Sequence, residues 1–407
     1  MRDVYLDHAA TTPLDPDVLA AMRPHLTEHF GNPSSPHARG RKASVALEEA
    51  RETVAACIGA EPSEIVFTSG GTEADNLALR GVLRKAQSAG RAPAGLLTGA
   101  AEHKAVLETA EALDAEALDE DGVPVHILSP GADGAVRPQQ VADAITEDTA
   151  LVSLMLVNNE VGTRTDVAEI ADICHEAGAL LHTDAVQAAP HLDVQALGGD
   201  LASLSAHKVY GPKGIGALYV RSGVELAPLV RGGSQERARR GGTQNVAAAV
   251  GLAEALARAT GAAEERAARL RGLRQHLAER LRDAFGEQVR LNTPLAEEAA
   301  APHVLSVSFP AGEEERPLDG EMLLLNLDVE GVRASAGSAC TSGALEPSHV
   351  LQAMGLPRET AAATVRFSFG KDTTEADLDH AADALETGKN VRQCIRPRPH
   401  APPLPRS

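Results

Sequence analysis

Two lysines stand in the Gly-rich stretch Ser205-Ala206-His207-Lys208-Val209-Tyr210-Gly211-Pro212-Lys213-Gly214, directly after a short apolar run, Leu201 to Leu204. A lysine that forms a Schiff base with an aldehyde needs a fixed position and a way to lose its proton, which neighbouring cations and limited solvation provide. Lys208 suits that task better than Lys213, which lies between a proline and a glycine in a surface-turn setting. No Gly-x-x-x-x-Gly-Lys-Ser/Thr pattern makes Lys213 a nucleotide lysine. Read alone, Lys208 also has the more ordinary reading of a solvated surface lysine.

Other reactive groups recur at the same kind of place. In His182-Thr183-Asp184-Ala185-Val186-Gln187 a carboxylate follows an apolar run. Asp184 there could keep a pyridine nitrogen protonated, the feature that makes pyridoxal phosphate an electron sink, with Gln187 donating to the ring's phenolic oxygen. The competing reading of Asp184 is a helix N-cap. Thr68-Ser69-Gly70-Gly71-Thr72-Glu73-Ala74-Asp75-Asn76 reads as a strand passing into a helix through two glycines, so the N–H groups at Gly71 and Thr72 could cradle a phosphate; an ordinary capped turn fits it equally. His103, in Glu102-His103-Lys104, could stack on a flat cofactor and move protons near neutral pH, or be a structural surface histidine. Cys340 stands among small residues in Ala334-Ser335-Ala336-Gly337-Ser338-Ala339-Cys340-Thr341-Ser342-Gly343, a setting that favours a travelling nucleophile over a structural thiol. Cys57 and Cys174 lie in Ala- and Ile-rich helical settings and read as structural, while Cys394 adjoins the terminal segment. Arg366 alternates with apolar residues in Thr364-Val365-Arg366-Phe367-Ser368-Phe369, where its planar fork suits either a substrate carboxylate or a structural ion pair. His175-Glu176 lacks a second histidine at 179, which is Ala, so metal binding has little support.

What positions these groups is an alternation of short apolar runs with helical stretches: Ile65 to Thr68, Gly95 to Thr98, Val125 to Leu128, Leu151 to Val157, Ala179 to Thr183, Leu201 to Leu204 and Ile215 to Val220. Runs apolar on both faces predict a mostly parallel α/β sheet covered on both sides, whose ligands gather beyond the carboxyl ends of its strands. From Asn245 to Phe285 the chain reads as a long helix broken near Gly261, with Leu270, Leu273, Leu277, Leu281 and Phe285 as a core-facing stripe. Strand-like Val304 to Phe309 and Thr364 to Phe369, with helical Leu318 to Asp328 and Glu375 to Glu386, predict a smaller α+β unit. The Pro-rich end, Arg396 to Pro405, predicts a disordered tail.

The 407 residues are 43% hydrophobic and 23% charged, which fits a soluble chain of two or three domains. A net charge of −19 and an aromatic content of 2% argue against nucleic acid and anionic lipid as direct partners. Four unpaired-looking cysteines and the acidic start, with Asp3 and Asp7, predict a reducing, cytoplasmic setting.

These motifs in this order resemble a cysteine desulfurase of the class V aminotransferase family, in the branch with a long Ser/Gly-rich catalytic loop. The resemblance runs from Tyr5-Leu6-Asp7-His8-Ala9-Ala10-Thr11-Thr12 to about Glu386, through Gly31-Asn32-Pro33-Ser34-Ser35, Val157-Asn158-Asn159-Glu160-Val161-Gly162 and Ser338 to Pro347. It implies a fold type I enzyme, with a mostly parallel seven-stranded sheet flanked by helices and a smaller α+β domain. Residues 1–15 would form an N-terminal arm, 16–255 a large cofactor domain, 256–388 a small domain with the catalytic cysteine, and 389–407 a tail. It further implies pyridoxal phosphate on Lys208, stacked by His103 and contacted by Asp184 and Gln187. Its phosphate would be held by Gly71, Thr72, Ser205 and His207, with Thr243 supplied by the partner of a homodimer. Asn159 and Arg366 would hold the carboxylate of L-cysteine and Cys340 would accept its sulfur, for delivery to an iron–sulfur scaffold or a tRNA-thiolating enzyme. Gln235 and Gly242 depart from the His and the Ser or Ala frequent in relatives, and the Pro/Arg-rich end replaces a segment that some relatives use to dock the scaffold protein.

Overall fold

In the computed structural model, which describes residues 2–91, 94–116, 123–188, 198–311, 318–337 and 346–387, the apolar runs pair edge to edge. The strands, in chain order, are β1 (Val4–Tyr5), β2 (Ile65–Thr68), β3 (Gly95–Gly99), β4 (Val125–Leu128), β5 (Thr149–Ser153), β6 (Leu180–Asp184), β7 (Leu201–Ser205), β8 (Gly216–Val220), β9 (Arg290–Leu291), β10 (Val304–Ser308), β11 (Val332–Arg333) and β12 (Thr364–Ser368). Seven of them form one sheet in the order β2-β8-β7-β6-β5-β3-β4. All pairings are parallel except those of β8, which runs antiparallel to both β2 and β7.

Successive strand side chains point to opposite faces, and both faces are dry except at the edge strand β4, where His126 and Ile127 are exposed. Phe67, Leu97, Val152, Leu181, Ala202 and Ala217 meet one apolar layer, which includes the helices Pro16–Thr27, Ala38–Ile58, Val167–Glu176 and Val246–Gly261. Their neighbours Val66, Leu96, Leu151, Leu180, Leu201 and Leu218 meet the other, built from the helices Gly71–Ser88 and Lys104–Glu116. This double coverage is why the strands read as near-continuous apolar runs.

The run Leu151 to Val157 is cut shorter than its apolarity suggests. The strand ends at Ser153 because the Glu102 side chain takes the Met155 N–H at 2.9 Å. Leu154 and Leu156 still donate to the carbonyls of His182 and Asp184, so the chain continues alongside β6 and carries Asn158 and Asn159 past its end.

A separate apolar core belongs to the antiparallel sheet β9-β10-β12. Leu270, Leu273, Leu277 and Leu281 enter it from the helix Ala263–Phe285, together with side chains of Gly320–Val329 and Glu375–Thr387. The stripe is therefore core. The helices Val246–Gly261 and Ala263–Phe285 meet at a 70° bend, where Ala262 leaves helical geometry. The expected division after residue 255 falls inside the first of them. The N-terminal segment crosses between the cores: β1 pairs with β11, Leu6 O accepts from Ser368 N, and Thr12 N donates to His207 O.

One buried ion pair braces the loop after β8. Arg51 donates to Glu236 through both terminal nitrogens, at 2.7 and 2.9 Å, and Phe67 N donates to the same carboxylate. Glu236, Arg237 and Ala238 all take positive φ, 45°, 55° and 63°, a costly run for non-glycine residues that the pair holds in place. Among the described residues no single helix is long and apolar enough to cross a membrane. The expected tail, Cys394 and Cys340 lie outside the described residues.

Candidate active site

The strand-end residues converge on one cavity of about 400 Å³, bordered by Asp7, Asp75, His103, Asn159, Asp184, Gln187, Ser205, His207, Lys208 and Arg366, with Gly71 and Thr72 at one end. Every described residue expected in the site borders it except Thr243. That threonine is exposed and borders a smaller cavity of about 140 Å³, beside Arg240, whose guanidinium grips Glu73 at 2.8 and 3.2 Å.

Lys208 sits in the 3-10 turn Ala206–Lys208 that closes β7. Its ammonium donates to the carbonyls of Ala9 at 2.6 Å and Ala10 at 2.9 Å. Burial, then the nearby Arg366 cation, lowers its pKa to about 8, against the partial support of Asp184 and Asp7. About a tenth of the amine is then neutral at pH 7, far more than for an ordinary lysine. The expected consequence is that covalent capture of an aldehyde by the cofactor-free protein accelerates about tenfold per pH unit up to pH 8 and then levels. Stopped-flow absorbance across pH 6 to 10 checks this, and a midpoint near 10 would contradict it.

Asp184 ends β6, and its Oδ1 accepts the Val186 N–H at 2.9 Å. The residues that follow, as far as they are described, form a turn, so the carboxylate closes a local loop and caps no described helix. Burial raises its pKa, with His103 and Lys208 opposing. Gln187 is buried, and its amide donates to Ala9 O at 2.8 Å. His103 stands at the mouth of the cleft just before the helix Lys104–Glu116; its Nδ1 accepts from Ala105 N, so the neutral ring carries its proton on Nε2. Burial lowers its pKa.

At the other end, the helix Gly71–Ser88 points its first turn at the cavity, where N–H groups have no partner within the helix. Gly71 has to be glycine there, since a Cβ would come within 2.9 Å of a Val186 methyl group. Ser205 Oγ is buried without a hydrogen-bond partner among the described residues, and His207 Nδ1 lies 3.2 Å from Thr11 Oγ1. Burial lowers the His207 pKa to about 4. A helix N-terminus, a free hydroxyl and an imidazole make a donor set that fits a phosphate dianion. The carboxylate of Asp184 and the poised amine of Lys208 fit the rest of a pyridoxal phosphate.

Toward the small sheet, Arg366 on β12 donates to Asn159 O and to Asp7 Oδ1, each at 2.8 Å. Its Nε and the Asn159 Oδ1 are buried without partners among the described residues, so a donor and an acceptor remain for a ligand. Sequence reasoning assigned no role to Asp7, Asp75 or the carbonyls of Ala9 and Ala10. The Tyr5 to Thr12 motif held Asp7, but its partner lies across the fold in β12, and backbone carbonyls leave no mark in a residue pattern. Cys57 is half-buried and Cys174 fully buried, with burial pushing the Cys174 thiol up to about 12, as befits structural thiols.

A lysine at the end of a parallel strand, facing a carboxylate across a cleft with a phosphate cradle, on this sheet order, defines the class: a fold type I enzyme. The chain belongs to the class V aminotransferase family, whose model matches residues 4–380, and whose members work with pyridoxal phosphate. It is 43% identical over 387 residues to the cysteine desulfurase IscS of Dictyoglomus turgidum, covering 95% of this chain and 94% of that protein. Among solved structures it is similar to a NifS-like protein, with a TM-score of 0.85 and 37% identity over 96% of this chain and all of the other. It is also similar to SspA in complex with cysteine, with a TM-score of 0.75 and 36% identity over 90% of this chain and 98% of the other.

Proposed function

We propose that this protein is a cytoplasmic, homodimeric cysteine desulfurase: it converts L-cysteine to L-alanine and moves the sulfur to its own Cys340, for an acceptor protein in iron–sulfur cluster assembly or tRNA thiolation. The observation that carries the reading is the meeting, in one cleft, of a lysine with a depressed pKa, a buried carboxylate, a phosphate cradle and an arginine with an open donor. Full-length similarity to proteins named cysteine desulfurase supports the substrate.

Lys208, Asp184, Gln187 and His103 would hold the ring portion of pyridoxal phosphate, and Gly71, Thr72, Ser205 and His207 its phosphate. Thr243, exposed and outside its own chain's cleft, would serve the partner subunit's site. The bound group supplies an electron sink that lets a Cα–H bond of the amino acid ionise. Arg366 and Asn159 orient the substrate carboxylate, which fixes the Cα–H toward Lys208. Lys208, neutral in an appreciable fraction at pH 7, takes and returns that proton, while His103 serves proton transfers at the mouth of the cleft. The Cys340 thiolate attacks the substrate sulfur, so an S–S bond forms as the C–S bond breaks. The products are an enzyme persulfide and alanine, and no outside oxidant is needed.

The test is mass spectrometry of the purified protein after L-cysteine treatment without reductant, with alanine assayed in the same tube. Alanine together with added sulfur on the Cys340 peptide is the expected result. Alanine with free sulfur and no adduct would move the reading to a lyase, and no alanine from cofactor-loaded protein would reject it.

A further inference from the structure

Asp184 is not the only acid on the floor of the cleft. Asp75, on the helix Gly71–Ser88, borders the same cavity and is 2% exposed. Its Oδ1 is buried with no hydrogen-bond partner among the described residues. That oxygen lies 3.6 Å from Nε2 of His182, a fully buried ring on β6. Hydroxyls from the two neighbouring strands occupy both nitrogens of this ring: Ser153 Oγ lies 2.9 Å from Nδ1, and Ser203 Oγ lies 3.0 Å from Nε2. Ser203 also hydrogen-bonds Asp75.

The cluster is short of donors for an anion. An ionised carboxylate presents about four lone-pair sites, and a charge in a dry site needs several of them filled. Asp75 meets one serine hydroxyl and one imidazole already engaged by serines. Asp184 has a backbone N–H on one oxygen and faces the side of the cleft where Lys208 and His103 stand. Two carboxyl groups in one water-poor site do not both ionise, because each charge raises the cost of the other. Burial, then the neighbouring Asp184, raises Asp75 well above the ordinary carboxylate range, with the buried Glu102, itself raised by burial, adding to it, while burial lowers His182 to about 3 and removes it as a compensating cation.

We propose that Asp75 is a positioning residue that stays a neutral carboxylic acid within the His182–Ser203 cluster, so that Asp184 is left as the single anion on the cleft floor to face the ring nitrogen of the cofactor. The inference rests on the reading of Asp184 as that partner. The proton Asp75 retains keeps the negative charge at one place, where it stabilises a protonated ring.

Infrared difference spectroscopy on the holoenzyme tests this together with cofactor affinity. Asp75→Asn is isosteric and neutral, so it should remove one protonated-acid C=O band at neutral pH and leave the dissociation constant for pyridoxal phosphate within about threefold of the parent. Asp184→Asn should remove a carboxylate band and weaken that affinity about tenfold or more, as befits loss of about one pKa unit's worth of interaction. Asp75→Thr, smaller and also neutral, repeats the affinity test where the Asn variant does not fold. Loss of a carboxylate band in Asp75→Asn, or weakening as large as that of Asp184→Asn, would overturn the proposal. An Asp184→Asn protein with unchanged affinity would remove the reading beneath it, and the proposal with it.

Discussion

Replacement of Lys208 by alanine is expected to lower turnover of L-cysteine by about 10²–10⁴-fold, the scale of a lost proton-transfer group, while the protein still folds and still takes up pyridoxal phosphate. The loss is large because no other described residue in the cleft can stand in. His103 lies at the mouth, and its Nδ1 is committed to the backbone N–H of Ala105. His207 is turned toward Thr11 and held neutral by burial. Among the described residues, Lys208 alone combines a fixed seat, between the end of β7 and the Ala9 and Ala10 carbonyls, with a pKa low enough to supply free amine. Cofactor uptake should survive, since the phosphate cradle at Gly71 and Thr72 does not involve the lysine and His103 still supports the Asp184 carboxylate. Absorbance of the variant mixed with cofactor, then with L-cysteine, separates the two effects. A variant that turned over at more than about a tenth of the parent rate would remove Lys208 from the proton path.

The same lysine shows what the sequence made legible. Strands buried on both faces must be apolar throughout, so most of β2 to β8 announced themselves, and the rule that ligands lie beyond strand ends pointed to Asp184 and Lys208, while the roles of Ser205 and His207 came with the family resemblance. Less legible was whatever depends on a partner distant in the chain. Asp7 is a meaningful acid only because β12 brings Arg366 to within 2.8 Å of it. Asp75 was one letter of a strand-to-helix stretch until the sheet set His182 and Ser203 against it. The carbonyls that hold the Lys208 ammonium belong to two alanines with no chemistry of their own. The early end of β5 was hidden because a side chain, Glu102, replaces a strand partner, and side-chain capture of a backbone N–H does not disturb the apolar pattern.

Arg366→Ala is expected to lower kcat/KM for L-cysteine by about 10²–10³-fold, carried mainly by KM, the scale for truncating a hydrogen-bonded charge in a dry site. The side chain is 4% exposed, and its plane is fixed from two sides, by Asn159 O and by Asp7. What remains is Nε and the second hydrogens of the terminal nitrogens, donors for one carboxylate. A substrate lacking its carboxylate should therefore lose as much on the parent enzyme as L-cysteine loses on the variant, and the two losses should not add, because they delete the same contact. Arg366→Lys should recover little: a point-like ammonium cannot keep Asn159, Asp7 and a bidentate ligand in one plane. Spectral titration with L-alanine, which binds without sulfur chemistry, reads the affinity change directly. If binding of L-alanine were unchanged while kcat fell, Arg366 would be acting through the charge it places beside Lys208, and the pH midpoint of lysine capture, raised above 8 in the variant, would show it.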